Sequence, residues 1–365
     1  MTIAEVVPSL LSGLDVPGAD NTLGLPAARR VVLLLVDGLG HELLRAHASH
    51  APFLSSLPDR SIDAGFPSST ATSLASIGTG LRSGEHGVVG YTFEVGDEVL
   101  NSLSWTRAGE RHHDLRKTLV PEVVQPHPTL FERAAAAGVA ASTVAPLVHR
   151  SSGLTRAVLR GSWFRGTAGF GDLALGAVAA VRQDRSFCYA YHADLDTIGH
   201  IYGPGSDEWL MQLEFVDALA SRIAARMPPD SVLVVTADHG MVTAGDRIDF
   251  DTEPLLWQGV RVIAGEPRVR YLYTETDEVP AVWREFLGDR ADVLTREEAV
   301  EAGWFGPVSP LAVDRIGDVV VAMKDSAVVL RGQAEPTWNG MTGFHGSRTR
   351  AELAIPLLVH SVASA

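Results

Sequence analysis

Three apolar runs in this chain each stop at a carboxylate, and that recurrence constrains the fold more than any other feature. "RRVVLLLVDGLG" runs into Asp37-Gly38, "SFCYAYHADLD" into Asp194 and Asp196, and "SVLVVTADHG" into Asp238-His239-Gly240. A run with no polar face must be covered on both sides, as a parallel strand is inside a sheet layered by helices. The segments between the runs read as those helices. "HPTLFERAAAAG" has Thr129 as N-cap and Gly138 as a stop, and "VAASTVAP" follows as the next strand. In "SDEWLMQLEFVDALASRIAARM", Leu210, Leu213, Val216, Leu219 and Ile223 share one face, with Ser206 as cap. Strands alternating with helices predict a doubly wound, mostly parallel α/β sheet with its ligands at the carboxyl edge.

The 365 residues are read as a single catalytic domain. From about 242 to 339 the pattern changes to short strand-like pieces ("RVRYLYTE", "DVVVAM", "AVVL") and two helices, one opened by a Thr295/Glu298 capping box. This segment is expected to be a smaller inserted subdomain. The chain then returns through "GFHGS" to a last apolar strand, "LAIPLLVH".

A net charge of −14, with 44 acidic against 30 basic residues, excludes a surface for a nucleic-acid polymer. A small anionic substrate remains compatible where bound cations supply local positive charge. The single cysteine, Cys188, excludes an intramolecular disulfide framework and sits in an apolar run as a buried thiol. The first twenty residues lack a basic, apolar leader, and "VVLLLV" is too short to span a bilayer. The expectation is a cytoplasmic protein without a membrane partner.

Acidic and imidazole residues fall at loop positions: Asp37, Asp194, Asp196, His200, Asp238, His239 and His345. Carboxylate oxygens and neutral imidazoles suit hard and borderline divalent cations, and two neighbouring ions need about six such ligands. Asp196 and His200, four apart with Gly199 between them, are expected on a turn after a strand. "ADHG" offers two adjacent ligands at another strand end.

"FPSSTATSLASIGTG", Phe66 to Gly80, is the remaining unusual stretch. Its proline-initiated turn leads into apolar Leu74 and Ile77, which places Thr70 at or near the start of a short helix. Free amides and a partial positive charge at that end suit a phosphoryl group. A threonine hydroxyl is a weak nucleophile until a base or metal ionises it. The same position also suits a plain N-cap.

Taken in order, "LVDGLG", "FPSSTATSLASIGTGLRSGEHGVVGY", "YHADLDTIGHIYGPGS", "TADHGM" and "GFHG" resemble the alkaline phosphatase superfamily, and within it the nucleotide pyrophosphatase/phosphodiesterase family. The resemblance implies an alkaline-phosphatase-like core with two zinc ions. One would be held by Asp196, His200 and His345, the other by Asp37, Thr70, Asp238 and His239, with Thr70 as nucleophile and a phospho-threonine intermediate. It implies a small phosphate-ester substrate, with diesters or nucleotide pyrophosphates foremost. Phosphomonoesterase and phosphonate (C–P) hydrolase activity are the alternatives within the superfamily, and a non-catalytic metal-binding protein the alternative outside it.

The chain departs from the family where many members carry an asparagine after the "HG" that follows the nucleophile helix. Tyr91 stands there, with Asn101 nearby in "NSLSW". Tyr91, Asn101 and Trp105 are the candidates for contacting substrate, and Phe93, His149 and Trp163 are further aromatic or imidazole groups in the same stretches.

Overall fold

The computed structural model describes residues 1–363. Seven strands form the central sheet: β1 Arg30–Val36, β2 Ser61–Asp63, β3 Ala140–Pro146, β4 Trp163–Thr167, β5 Ser186–His192, β6 Ser231–Thr236 and β7 Ala354–Val362. Their order across the sheet is β2-β7-β6-β1-β5-β3-β4. From β6 to β4 the neighbours are parallel, while β7 runs antiparallel to both β6 and β2. The apolar runs are buried on both faces, as their composition requires: every residue of β5 and β6 is buried, and all of β1 after Arg30. Cys188 is among them.

Register is what brings the carboxylates together. Val36 lies opposite His192, and Leu35 opposite Thr236, so β1, β5 and β6 end at one level. One or two residues later β1 and β6 turn into the loops that carry Asp37 and Asp238, and β5 passes into the helix that carries Asp196.

Four helices matter for the site: α1 Thr70–Thr79, α2 Phe170–Ala180, α3 Asp194–Tyr202 and α4 Asp207–Ala224. The Ser206 hydroxyl caps α4 by accepting from Trp209 N, and the face carrying Leu213, Val216, Leu219 and Ile223 is buried. Thr129 likewise caps the helix Leu130–Ala136, accepting from Glu132 N. No helix among the described residues is long and apolar enough to cross a membrane.

Strands Val260–Glu266, Val269–Thr274, Ala291–Thr295 and Val319–Met323 form a separate four-stranded antiparallel sheet. It has a core of its own around Ile263, Leu272, Trp283 and Val321. Val242–Thr243 pairs with Gly343–Phe344, so the chain leaves the central layer and returns to it at one short ladder. A buried bidentate pair, Arg268 to Glu352 at 3.0 and 2.7 Å, joins this sheet to the short helix Arg350–Leu353 that precedes β7. A third small sheet, Thr92–Val95, Glu98–Asn101 and Thr106–Arg107, stands beside the carboxyl edge of the main one.

Candidate active site

Two groups of potential ligands converge at the carboxyl edge. Asp37, Asp238 and His239 form one, and Asp196, His200 and His345 the other; within each group the ligand atoms lie within 4.8 Å of one another. The groups adjoin, because the rings of His239 and His345, one from each, stack with centroids 3.5 Å apart. Asp194, the other carboxylate at the end of β5, belongs to neither group.

Asp196 and His200 differ from the sequence expectation in their setting. They lie on helix α3, not on a turn, and the four-residue spacing puts both on one face. Gly199 is there for space: a Cβ would sit 2.6 Å from Met241 Sδ. Gly38 serves a similar purpose at φ +74°, where a Cβ would come within 3.0 Å of Asp196.

Each imidazole is oriented by a backbone carbonyl. His239 Nδ1 is 3.0 Å from Gly240 O, His200 Nδ1 2.8 Å from Gly343 O, and His345 Nδ1 2.9 Å from Ser68 O. A carbonyl only accepts, so Nδ1 carries the proton and each Nε2 presents its lone pair to the site. The carboxylates show the complementary feature. Asp37 Oδ1, Asp196 Oδ1 and Asp238 Oδ2 are buried without a hydrogen-bond partner. Their nearest partners are the imidazole Nε2 atoms at 3.3, 3.6 and 3.8 Å, too far for a hydrogen bond, and buried carboxylate oxygens and ring nitrogens facing one another across such gaps fit a site built for cations. The donor set of carboxylates, imidazoles and a hydroxyl, with no thiolate, matches divalent ions of hard to borderline character.

Without cations the site holds protons in their place. Burial raises the Asp238 carboxyl well above the carboxylate range, and the Asp37 charge adds to it. Asp196 is raised chiefly by burial, against the pull of His200. Burial works to lower His239, but Asp238 and Asp37 override it and raise the imidazole well above 6.5. Burial would also raise Asp37, yet the adjacent His239, its Nε2 3.3 Å from Asp37 Oδ1, holds it below its ordinary value. Burial beside His239 and His200 lowers His345 well below 6.5.

Thr70 is the first residue of α1, behind the extended N-cap Ser69. Its Oγ1 is 3.2 Å from His239 Nε2, at the Asp37/Asp238/His239 group. The helix is pinned there, since Ser73 Oγ donates to Asp238 O at 2.7 Å and Ser68 Oγ to Ser347 O at 2.7 Å. Asp238 Oδ1 accepts from Gly38 N and His239 N, both at 3.1 Å.

Two openings flank this centre. A cleft of about 1190 Å³ has Asp196 and His200 on its floor, with Tyr91, Asn101, Arg111 and Trp338 among its walls. A pocket of about 90 Å³ opens beside Thr70, walled by Leu74, His149, Leu154, Tyr189 and Tyr191. Tyr91 and Asn101 thus border the site. Trp105 does not: it is fully buried, its indole N–H donates to Leu119 O at 2.7 Å, and it packs where a Cβ on Gly153 would sit. Phe93 is core as well, and Trp163 faces solvent.

Two neighbours escaped the sequence reading. The Tyr191 hydroxyl donates to Asp37 Oδ2, and its place two residues from Tyr189 on one face of β5 was the available clue. Glu266, whose carboxyl burial raises to about 8, lies 3.8 Å from His345 Nδ1 at the end of a strand in the separate sheet. Nothing local in "VIAGEPRV" marks it.

The family model for type I phosphodiesterase/nucleotide pyrophosphatase matches residues 31–348. No curated protein matches the chain by sequence. Among solved structures, an inactive form of murine ectonucleotide pyrophosphatase/phosphodiesterase 5 in complex with AMP superposes with a TM-score of 0.66 at 16% identity, covering 91% of this chain and 88% of that one. Phosphonoacetate hydrolase from Sinorhizobium meliloti 1021, in complex with phosphonoformate, gives 0.69 at 19% identity, covering 92% and 91%. At these identities the likeness establishes the alkaline-phosphatase-like fold. With a family model spanning β1 to beyond His345, the chain belongs to the type I phosphodiesterase/nucleotide pyrophosphatase family.

Proposed function

We propose that the protein is a phosphohydrolase that uses two divalent metal ions, zinc by ligand type, and cleaves a phosphate ester or pyrophosphate through a phospho-threonine intermediate on Thr70. The observation that carries this reading is the set of three carboxylate oxygens without hydrogen bonds and three Nε2 atoms in two adjoining groups, with the Thr70 hydroxyl 3.2 Å from the Nε2 of His239. Asp37, Thr70, Asp238 and His239 would hold one ion, and Asp196, His200 and His345 the other. Bound there, the ions would lower the pKa of the nucleophile and neutralise phosphoryl and departing oxygens.

The chain's own contributions follow from position. The N-terminal amides of α1 face the phosphoryl site and favour its negative charge before any reaction. Thr70 Oγ1, its proton released to solvent, attacks phosphorus in line, forming an O–P bond as the bond to the departing oxygen breaks, with both electrons leaving on that oxygen. The departing group therefore exits opposite Thr70, toward Asp196, His200 and His345. Water then cleaves the threonine ester and returns the hydroxyl. Gly240, Gly343 and Ser68 carbonyls keep the imidazoles in one tautomer throughout. The bound ligands named for the two solved structures, AMP and phosphonoformate, support a small phosphate- or phosphonate-bearing substrate.

The test is Thr70→Ala. Turnover of a p-nitrophenyl phosphate ester should be abolished while two metal equivalents remain bound, because six of the seven ligand residues are intact. Full activity in that variant removes Thr70 from the mechanism.

A further inference from the structure

The two openings beside the reaction centre differ by an order of magnitude in size, and phosphoryl-transfer geometry gives each a different part of the substrate. Attacking and departing oxygens lie roughly in line. With Thr70 on one side of phosphorus, the group that departs projects over Asp196 and His200, the floor of the 1190 Å³ cleft. Any ester substituent that phosphorus keeps stands to the side, where the pocket reaching Thr70 is about 90 Å³. That is well below the ~300–1,000 Å³ of a typical small-molecule site. Buried Leu74, Leu154, Tyr189 and Tyr191 are among its walls, and exposed Leu103 lines both openings.

The large cleft has its own chemistry. Arg107 on its wall is committed to Glu98 and Glu110. Arg111 is not so committed: its guanidinium donates to the neutral Thr337 hydroxyl at 2.6 Å and makes no ion pair among the described residues. Thr337 lines the same cleft, so the contact joins two distant segments of the chain at its wall. Two aromatic rings stand beside it, Tyr91 and Trp338, with centroids 5.6 Å apart, and Trp338 is 6.0 Å from the His200 ring. A free planar cation and two aromatic faces over a metal-ligand floor match an anionic group that also carries a flat ring system.

We infer that the bulky, anionic part of the substrate is the leaving group, seated in the large cleft with Arg111 as its specificity-determining cation, and that the phosphorus captured by Thr70 keeps no bulky ester. This rests on Thr70 being the nucleophile. A phosphate released from a nucleotide-sized anion, with one water consumed per P–O bond broken, fits the pair of openings; a nucleoside retained on phosphorus does not.

Two substrate pairs on the metal-loaded full chain test the assignment. Methyl p-nitrophenyl phosphate and thymidine 5′-(p-nitrophenyl phosphate) share a leaving group and differ in what phosphorus keeps. The methyl diester should have the higher kcat/KM by about tenfold or more; an equal or reversed order overturns the inference. Phenyl phosphate and 4-carboxyphenyl phosphate differ in leaving-group charge. Arg111→Ala should shrink the carboxylate preference by about tenfold at low ionic strength, the scale of one charged hydrogen bond, and Arg111→Lys should restore part of it. An unchanged ratio overturns the role of Arg111. Calorimetric binding of 4-carboxyphenylphosphonate to Thr70→Ala, with and without Arg111→Ala, should show the same loss without turnover. If the metal-loaded protein turns over none of the four substrates, the hydrolase reading falls and this inference with it. Turnover that favours the thymidine diester overturns this inference alone.

Discussion

Gly240 directly follows Asp238 and His239, and replacing it by alanine tests whether backbone packing, not the ligands alone, sets the site. A Cβ at Gly240 would lie 1.9 Å from the Ala351 carbonyl oxygen and 3.0 Å from Gly40 Cα. Both are backbone atoms, so no side chain can swing away. Bringing the Ala351 contact to at least 3.0 Å requires a displacement of about 1.1 Å. The segment that must move is held by Gly240 N to Glu352 O at 2.8 Å, and it carries the carbonyl that orients His239. Overpacking of this kind costs about 1–3 kcal/mol in stability. A misplacement of ~1 Å at reacting groups costs about a hundredfold in rate. Gly240→Ala should therefore fold with a modestly lower Tm but lose about a hundredfold in kcat/KM, with a parallel fall in metal affinity by chelator competition. Gly171→Ala is the control, because a Cβ there meets nothing within 4 Å inside helix α2, and helix propensity should add up to about 1 kcal/mol of stability. Wild-type metal affinity and turnover in Gly240→Ala would refute the reasoning.

Other expectations follow from the same geometry. Tyr191→Phe keeps the ring and removes the hydroxyl that donates to Asp37, so metal affinity should fall by about 10–100-fold with little change in Tm of the metal-free protein; unchanged affinity would show that the hydrogen bond does not position Asp37. pH gives a signed test. His239, Asp196 and Asp238 have folded pKa values raised above their ordinary ones, so the metal-free fold retains protons that the unfolded chain gives up, and its stability falls as pH rises through that interval. From about pH 7 upward, Asp37 and His345, both lowered, no longer change protonation and do not oppose the trend. Cations replace those protons, so the Tm gap between metal-loaded and chelated protein should widen as pH rises above about 7; a constant or narrowing gap would contradict it.

What the sequence disclosed follows from how each feature is built. The core strands were legible because burial on both faces leaves unbroken apolar runs such as Val31–Val36, and the site was legible because β1, β5 and β6 end in register. Thr70 stood out because a helix start and a Ser/Thr-rich loop coincide there. Gly199 looks like turn chemistry in the sequence, but its cause is a distant residue, Met241, and the segment is helix α3. Trp105 was placed at the substrate because an aromatic in a loop-rich stretch gives no sign of which way it packs; Gly153, 48 positions later, makes its slot. Glu266, Arg111 and Trp338 reach the site only through tertiary contacts between the separate sheet, the hairpin and the core. No periodicity records such contacts.

The central claim is a double displacement through Thr70, and the stereochemical course at phosphorus tests it most directly. With a phosphodiester made chiral at phosphorus by sulfur and oxygen isotope substitution, two successive in-line steps give net retention, whereas direct attack by water gives inversion. The account predicts retention; inversion would contradict it.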